Sequence, residues 1–384
     1  MTLFARVRRK LRALAKRRRN PPAPLPASAG ASAIDLDAAE IARDPFPHYD
    51  ALRAKGPVQF LERHGAWLVL GHDEVQWAFT RPDLLSNRPY EDVDAVLLAA
   101  DPPEHTAVRR TLNSYFARDV IERLGAFAGE YAASLLLARV DAVAGYGRPV
   151  SEAVAARLLG FDDAEVEALR DAGAHSADFG DYVRKIDALA HRAAMYERLR
   201  GDGFDEPRAR SLVRLFWVAS TATTERVIAQ CVLALLQHPH ARAAVERDPS
   251  LLAPFIEEVM RMHQPEPMLR RLATGDVELG GARIPAGALV YLSLAAANRD
   301  PRRYESPNEL RLDRGASRHL TFGHGIHYCI GATLGRATVT AAMRTLLAQA
   351  PDFRAAQPLE SVRHCATMMA HYVESLTIET RRAR

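Results

Sequence analysis

Phe322-Gly323-His324-Gly325-Ile326-His327-Tyr328-Cys329-Ile330-Gly331 is the stretch on which the reading of this 384-residue chain turns. Its three glycines let the backbone turn tightly and approach another group closely. Cys329 stands just ahead of a long Ala/Leu-rich segment, Gly331–Gln349, whose pattern predicts a helix. Free N–H groups and the positive end of a helix dipole favour a thiolate at such a position. A thiolate there is suited to attack as a nucleophile or to bind a metal. His324, His327 and Cys329 form a partial zinc set without a clear fourth ligand. A nucleophile needs a base, and nothing nearby nominates one. A buried inert thiol is the ordinary fate of an isolated cysteine and is the expectation for Cys231 and Cys365.

Working outward, the composition is that of a globular chain: 48% hydrophobic and 26% charged. Three cysteines rule out a disulfide framework and a four-thiolate zinc site. They fit a reducing, cytoplasmic setting. No apolar run reaches the roughly 20 residues of a membrane-spanning helix. The net charge of +4 is uneven. Residues 1–20 hold nine Lys/Arg and no acid, so the remainder is acidic by about five charges, which argues against nucleic acid as partner. Leu3, Val7, Leu11 and Leu14 recur at helical spacing in that tail, a pattern suited to weak contact with an anionic membrane surface or an acidic partner. Residues 21–34 read as a Pro/Ala-rich linker, and the folded domain is expected over 35–384.

That domain reads as mainly α with small β-sheets, an α+β class in a single domain. Asp101-Pro102-Pro103-Glu104 predicts a helix start, with Asp101 as its N-cap, running to about Phe116. Residues 123–139 and 151–173 predict amphipathic helices, 206–237 one long helix, and 250–263 a shorter one. Strands are expected at Ala66–Leu70, in a Val277–Gly287 hairpin, at Leu289–Leu294 and at Tyr372–Glu379.

The Phe322–Gly331 segment resembles the cytochrome P450 haem loop, F-G-x-G-x-H-x-C-x-G, with every fixed position matched. The resemblance extends over about residues 40–380. It implies a single-domain P450 fold, haem b (iron protoporphyrin IX), and Cys329 as the axial thiolate and metal ligand. It implies that His327 meets a haem propionate and that Phe322, Gly323 and Ala219 lie against the cofactor. Glu258 and Arg261 match the family's E-x-x-R, with Arg314 as the arginine that joins them. His105 and Arg109 match H-x-x-x-R, and Arg271 a further propionate contact; arginine suits two propionates because it gives charge-assisted hydrogen bonds.

The long helix departs from the pattern. Where the family carries A-G-x-(D/E)-T, this chain has Ala219-Ser220-Thr221-Ala222-Thr223. Thr223 retains the alcohol as the candidate catalytic residue, while Ala222 cannot relay a proton. Thr223 also has a plain structural use, a bond to the i−4 carbonyl. The region Gly160–Ala219 is short for the family's lid and suggests an open pocket. Val96, Leu97, Phe216, Ser220, Met268, Leu269 and Met369 are the candidate substrate-pocket residues.

The resulting expectation is a soluble, bacterial-type P450 monooxygenase that oxidises a small-molecule or carrier-bound substrate, such as a specialised metabolite. A separate ferredoxin or flavodoxin would supply electrons, with Arg109, Arg110 and Arg336 as docking contacts. The alternatives are a peroxide-driven or non-oxygen-inserting P450, and a catalytically silent helper subunit.

Overall fold

The computed structural model describes residues 31–91, 96–174, 179–315 and 318–380. The basic tail and residues 21–30 of the expected linker lie outside the described residues.

Seven helices matter most to the site: α1 (His72–Phe79), α2 (Glu104–Leu112), α3 (Arg118–Ser134), α4 (Arg148–Leu159), α5 (Glu206–Gln237), α6 (Leu252–Met262) and α7 (Ala332–Gln349). Helix α5 has the bounds its pattern predicted. Asp205 caps it by accepting the Arg208 N–H at 2.9 Å, and Pro207 sits in its first turn, where a missing N–H costs nothing. Leu252, Phe255, Ile256, Val259 and Met260 form the buried stripe of α6 at helical spacing. The expected 151–173 helix is broken in two: α4 ends at Gly160, whose φ of 75° only glycine adopts freely, and a second helix starts at Asp163.

Helix α2 starts at Glu104, and Asp101 does not cap it. The Asp101 carboxylate instead takes the Ser86 hydroxyl and the Asn87 N–H, which ties the approach to α2 onto a neighbouring strand.

That strand belongs to a six-stranded sheet of β1 (Ala31–Ser32), β2 (Val58–Leu61), β3 (Ala66–Val69), β4 (Leu85–Ser86), β5 (Met268–Ala273) and β6 (Leu289–Ser293). Its order is β1-β2-β3-β6-β5-β4, with parallel pairs β1/β2 and β3/β6 and antiparallel pairs elsewhere. Strand β1 puts backbone pairing ahead of the Asp35 boundary. The hairpin β7 (Arg363–Thr367) and β8 (Ala370–Ser375) folds back beside the sheet. The expected Tyr372–Glu379 strand is divided: Thr377–Glu379 pairs instead with Arg139–Asp141. The largest core gathers α3, α5, α6 and α7, and buries Cys231 completely. Among the described residues no helix is long and apolar enough to cross a membrane.

Candidate active site

The loop before α7 is built from backbone hydrogen bonds. The Cys329 N–H donates to the Phe322 carbonyl at 2.8 Å, Tyr328 to Gly325 at 3.1 Å, and Gly323 to Leu320 at 2.8 Å. Gly325 has φ 69°, and a Cβ there would meet the Phe79 carbonyl oxygen at 2.6 Å, so only glycine lets the loop lie against the end of α1.

Cys329 is exposed at the centre of this loop. Crowding by the surrounding protein pushes its thiol up, while the Gly331 N–H and the nearby Arg109 and Arg336 guanidiniums pull it down. The net direction is upward. Cys329 would be held as a thiolate by a metal bound at its sulfur, since a coordinating thiol is deprotonated. The three-ligand zinc arrangement fails: among the described residues no three His, Cys, Asp or Glu side chains are placed to hold a metal.

Beside the sulfur lies a cationic cradle. The rings of His105, from α2, and His327 have centroids 4.1 Å apart. Both His105 ring nitrogens and His327 Nε2 are buried without a hydrogen-bond partner. Burial, then the charges of His105, Arg271 and Arg109, lowers the His327 pKa to about 3. Arg271 is 3% exposed, donates only to the Arg270 carbonyl (2.7 Å), lies over the Phe79 ring at 5.2 Å, and is lowered by burial to about 10. Neither Arg109 nor Arg271 makes an ion pair among the described residues. Four donor groups thus converge with no anion of the chain to satisfy them, which is unfavourable unless an anionic group joins them.

Behind the loop, the E-x-x-R pair is a buried lock. Arg261 is unexposed and all five of its N–H groups are used. They go to Glu258 (2.8 and 3.0 Å) and to the carbonyls of Asn298 (2.9 Å), Pro307 (2.8 Å) and Glu309 (3.0 Å). Arg314 adds Nε to Glu258 at 2.8 Å, as expected. Two residues the sequence reading missed carry this lock to the cysteine loop. Asn298 Oδ1 accepts the Leu320 N–H at 2.7 Å, and its Nδ2 donates to the Thr321 hydroxyl, which donates to the Met260 carbonyl. Asn298 sits in the same stretch as Arg314, but only the fold reveals its reach.

On α5, Thr223 donates its hydroxyl to the Ala219 carbonyl at 2.7 Å, the structural use its place in a helix allowed. Ala219 is exposed in mid-helix. Glu225, the nearest acid, is held by Arg148 at 2.9 and 3.3 Å and does not replace the missing carboxylate.

The expected pocket residues divide. Val96, Leu97 and Phe216 share one core cluster, with Phe216 edge-on to Phe116. Ser220 is half-buried on α5, and Leu269 packs at the edge of a second cluster. Met369, at the turn between β7 and β8, packs on a third, where Met268 has no exposed surface. Met268 is the first residue of β5 and packs in that core.

The comparisons with known proteins bear on this arrangement. The cytochrome P450 family model matches residues 175–350. Cytochrome P450 monooxygenase PikC of Streptomyces venezuelae is 32% identical over 363 residues, covering 83% of this chain and 87% of that protein. The chain belongs to the cytochrome P450 family. Among solved P450 structures, P450BioI in complex with an acyl carrier protein ligated to hexadec-9Z-enoic acid has a TM-score of 0.80 at 25% identity, covering 89% of this chain and 100% of that one. The P450 enzyme CxnD, for C–S bond formation in chuangxinmycin biosynthesis, has a TM-score of 0.79 at 27% identity, covering 91% and 99%. This P450 is an oxidoreductase of the monooxygenase type, and its family implies a haem-thiolate cofactor. The residues present fit that group: the cradle's unpartnered nitrogens and unpaired guanidiniums match two propionates, and an exposed thiol stands beside them.

Proposed function

We propose that this P450 binds haem b with Cys329 as its thiolate metal ligand, and oxidises a partly apolar organic molecule in a specialised-metabolite tailoring step. The observation that carries the cofactor reading is the partnerless state of His105 and His327 in a cluster with Arg109 and Arg271. His105, Arg109, Arg271 and His327 hold the propionates. Phe322 and Gly323 shape the thiolate side, and Ala219, exposed on α5, faces the distal side. Glu258, Arg261 and Arg314 keep the loop rigid. When bound, the haem supplies oxidising power that no side chain has.

Bacterial P450s generally take electrons from ferredoxin-type partners. For a separate ferredoxin or flavodoxin here, the named contacts differ in availability. Arg110 is exposed, Arg109 is half-buried by the cradle, and Arg336 is held by Glu257 at 2.8 and 2.9 Å. Arg110 is therefore the docking contact of choice.

One observation favours a second reading. With Ala222 in place of an acid, Thr223 bonded to its own helix and Glu225 bonded to Arg148, the chain offers no ready proton path along α5. Peroxide-driven or non-oxygen-inserting oxidation needs less of one, and CxnD is named for bond formation of that kind.

The test is to reduce the purified protein, add carbon monoxide and record the Soret band. The family's red-shifted band is expected; a haem-free, colourless protein overturns the reading in favour of a helper subunit. Turnover with hydrogen peroxide alone, set against turnover with ferredoxin and its reductase, separates the two catalytic readings.

A further inference from the structure

Arg336 stands one turn into α7, and its guanidinium is fixed on both edges and one face. Nε and Nη2 donate to the two oxygens of Glu257, on α6, at 2.8 and 2.9 Å. Nη1, on the opposite edge, donates to the Tyr328 hydroxyl at 3.2 Å. The face lies over the Phe322 ring, 4.2 Å from its centroid. Because the fork is rigid, the bidentate contact on one edge decides where the other edge and the face point. Glu257 is itself held from a further side. His319 Nδ1 accepts the Thr321 N–H at 3.3 Å, which sets the ring's Nε2 3.2 Å from Glu257 Oε2.

The carboxylate therefore sits behind the guanidinium, which stands between it and the cysteine loop. The two loop residues that Arg336 touches flank Cys329. Tyr328 directly precedes it, and the Phe322 carbonyl accepts the Cys329 N–H at 2.8 Å. Arg109 and Arg336 are the cations whose charge reaches the Cys329 sulfur. In the proposed function Arg109 is neutralised by a propionate. Arg336 has only Glu257, on the edge away from the loop. Its side chain is half-buried, so its charge is screened less than one in open water.

We propose that Arg336 is a positioning residue that acts through Cys329: its fixed charge draws electron density on the sulfur and so raises the reduction potential of the bound haem. The inference rests on the proposed function for the haem, and goes beyond it in giving Arg336 a role other than donor docking. On reduction one electron enters the haem–thiolate unit with no bond made or broken, so the unit gains one negative charge, and a nearby cation favours that state. Groups around a metal ligand tune the metal in this way without touching it. A purely structural strut leaves the potential where it is, and a docking contact alters only the reaction with a donor protein.

The test is a dithionite titration of the purified holoprotein with dye mediators and no donor protein, followed in the Soret region. The infrared C–O stretch of the reduced carbon-monoxide complex is recorded beside it. Arg336→Met lowers both the midpoint potential and the C–O frequency, and Arg336→Lys, which keeps the charge, holds both near the wild type. Equal potentials in wild type and Arg336→Met, or a Lys protein that falls as far as the Met protein, overturn the proposal. If Arg336→Met loses its haem, Arg336→Gln repeats the reading; loss of haem in both also overturns it, since Arg336 then serves only the shape of the loop. A wild type that binds no haem overturns the proposed function and this inference together. A normal wild-type band with unshifted potentials in the variants overturns this inference alone.

Discussion

Asn298 Oδ1 receives the Leu320 N–H at 2.7 Å while the backbone carbonyl of Asn298 receives Arg261 Nη1 at 2.9 Å. One unexposed amide therefore joins the Glu258–Arg261 lock to the strand of chain that leads into Cys329. Through Leu320 and Thr321 it fixes where Phe322 begins, and the Phe322 carbonyl fixes Cys329.

Replacing Asn298 by Ala strands a buried N–H and loosens the loop. Each unsatisfied group costs about 1–3 kcal/mol. A lower thermal midpoint and a larger fraction of carbon-monoxide complex without the red-shifted band are expected. An unchanged spectrum removes Asn298 as a positioning residue.

Removing one side of the lock leaves the other charge buried. Arg261→Leu or Glu258→Leu should each destabilise by about 3–5 kcal/mol in urea denaturation. The double replacement should recover part of that loss. Strict additivity of the two would contradict the lock, since residues in one network couple.

Much of this region was legible in the sequence. The glycine spacing, the cysteine and the i,i+3 pair all declare themselves along the chain, as does α5 over 206–237. Asn298 did not, because its partner Leu320 lies 22 residues away in the chain. Asp101 misled for a related reason: a good capping residue found a better use on Ser86 and Asn87 across a fold contact.

Acid sensitivity follows from Glu257. Burial pushes its carboxyl up, but the His319 ring 3.2 Å away and the hydrogen-bonded Arg336 guanidinium more than reverse this and hold it at about 2, against an ordinary 4.5. A carboxyl depressed in the folded state stabilises fully above its ordinary value and progressively less below it. Stability from this group should fall as pH drops from about 4.5 to about 2. Urea midpoints measured across that window should slope less in Glu257→Gln. Equal slopes would contradict the assignment.

Restoring an acid on α5 tests the proton-path argument. Ala222→Asp should raise the share of NADPH consumption that ends in product, if a ferredoxin-supported reaction is limited by proton supply. Unchanged coupling and rate would show that Ala222 is not the limiting departure.

The most direct measurement is the carbon-monoxide difference spectrum of the reduced Cys329→Ser protein beside the wild type. The account predicts a red-shifted Soret band that is present in the wild type and lost in the serine variant, with the fold retained by circular dichroism. The same band in both proteins would contradict it.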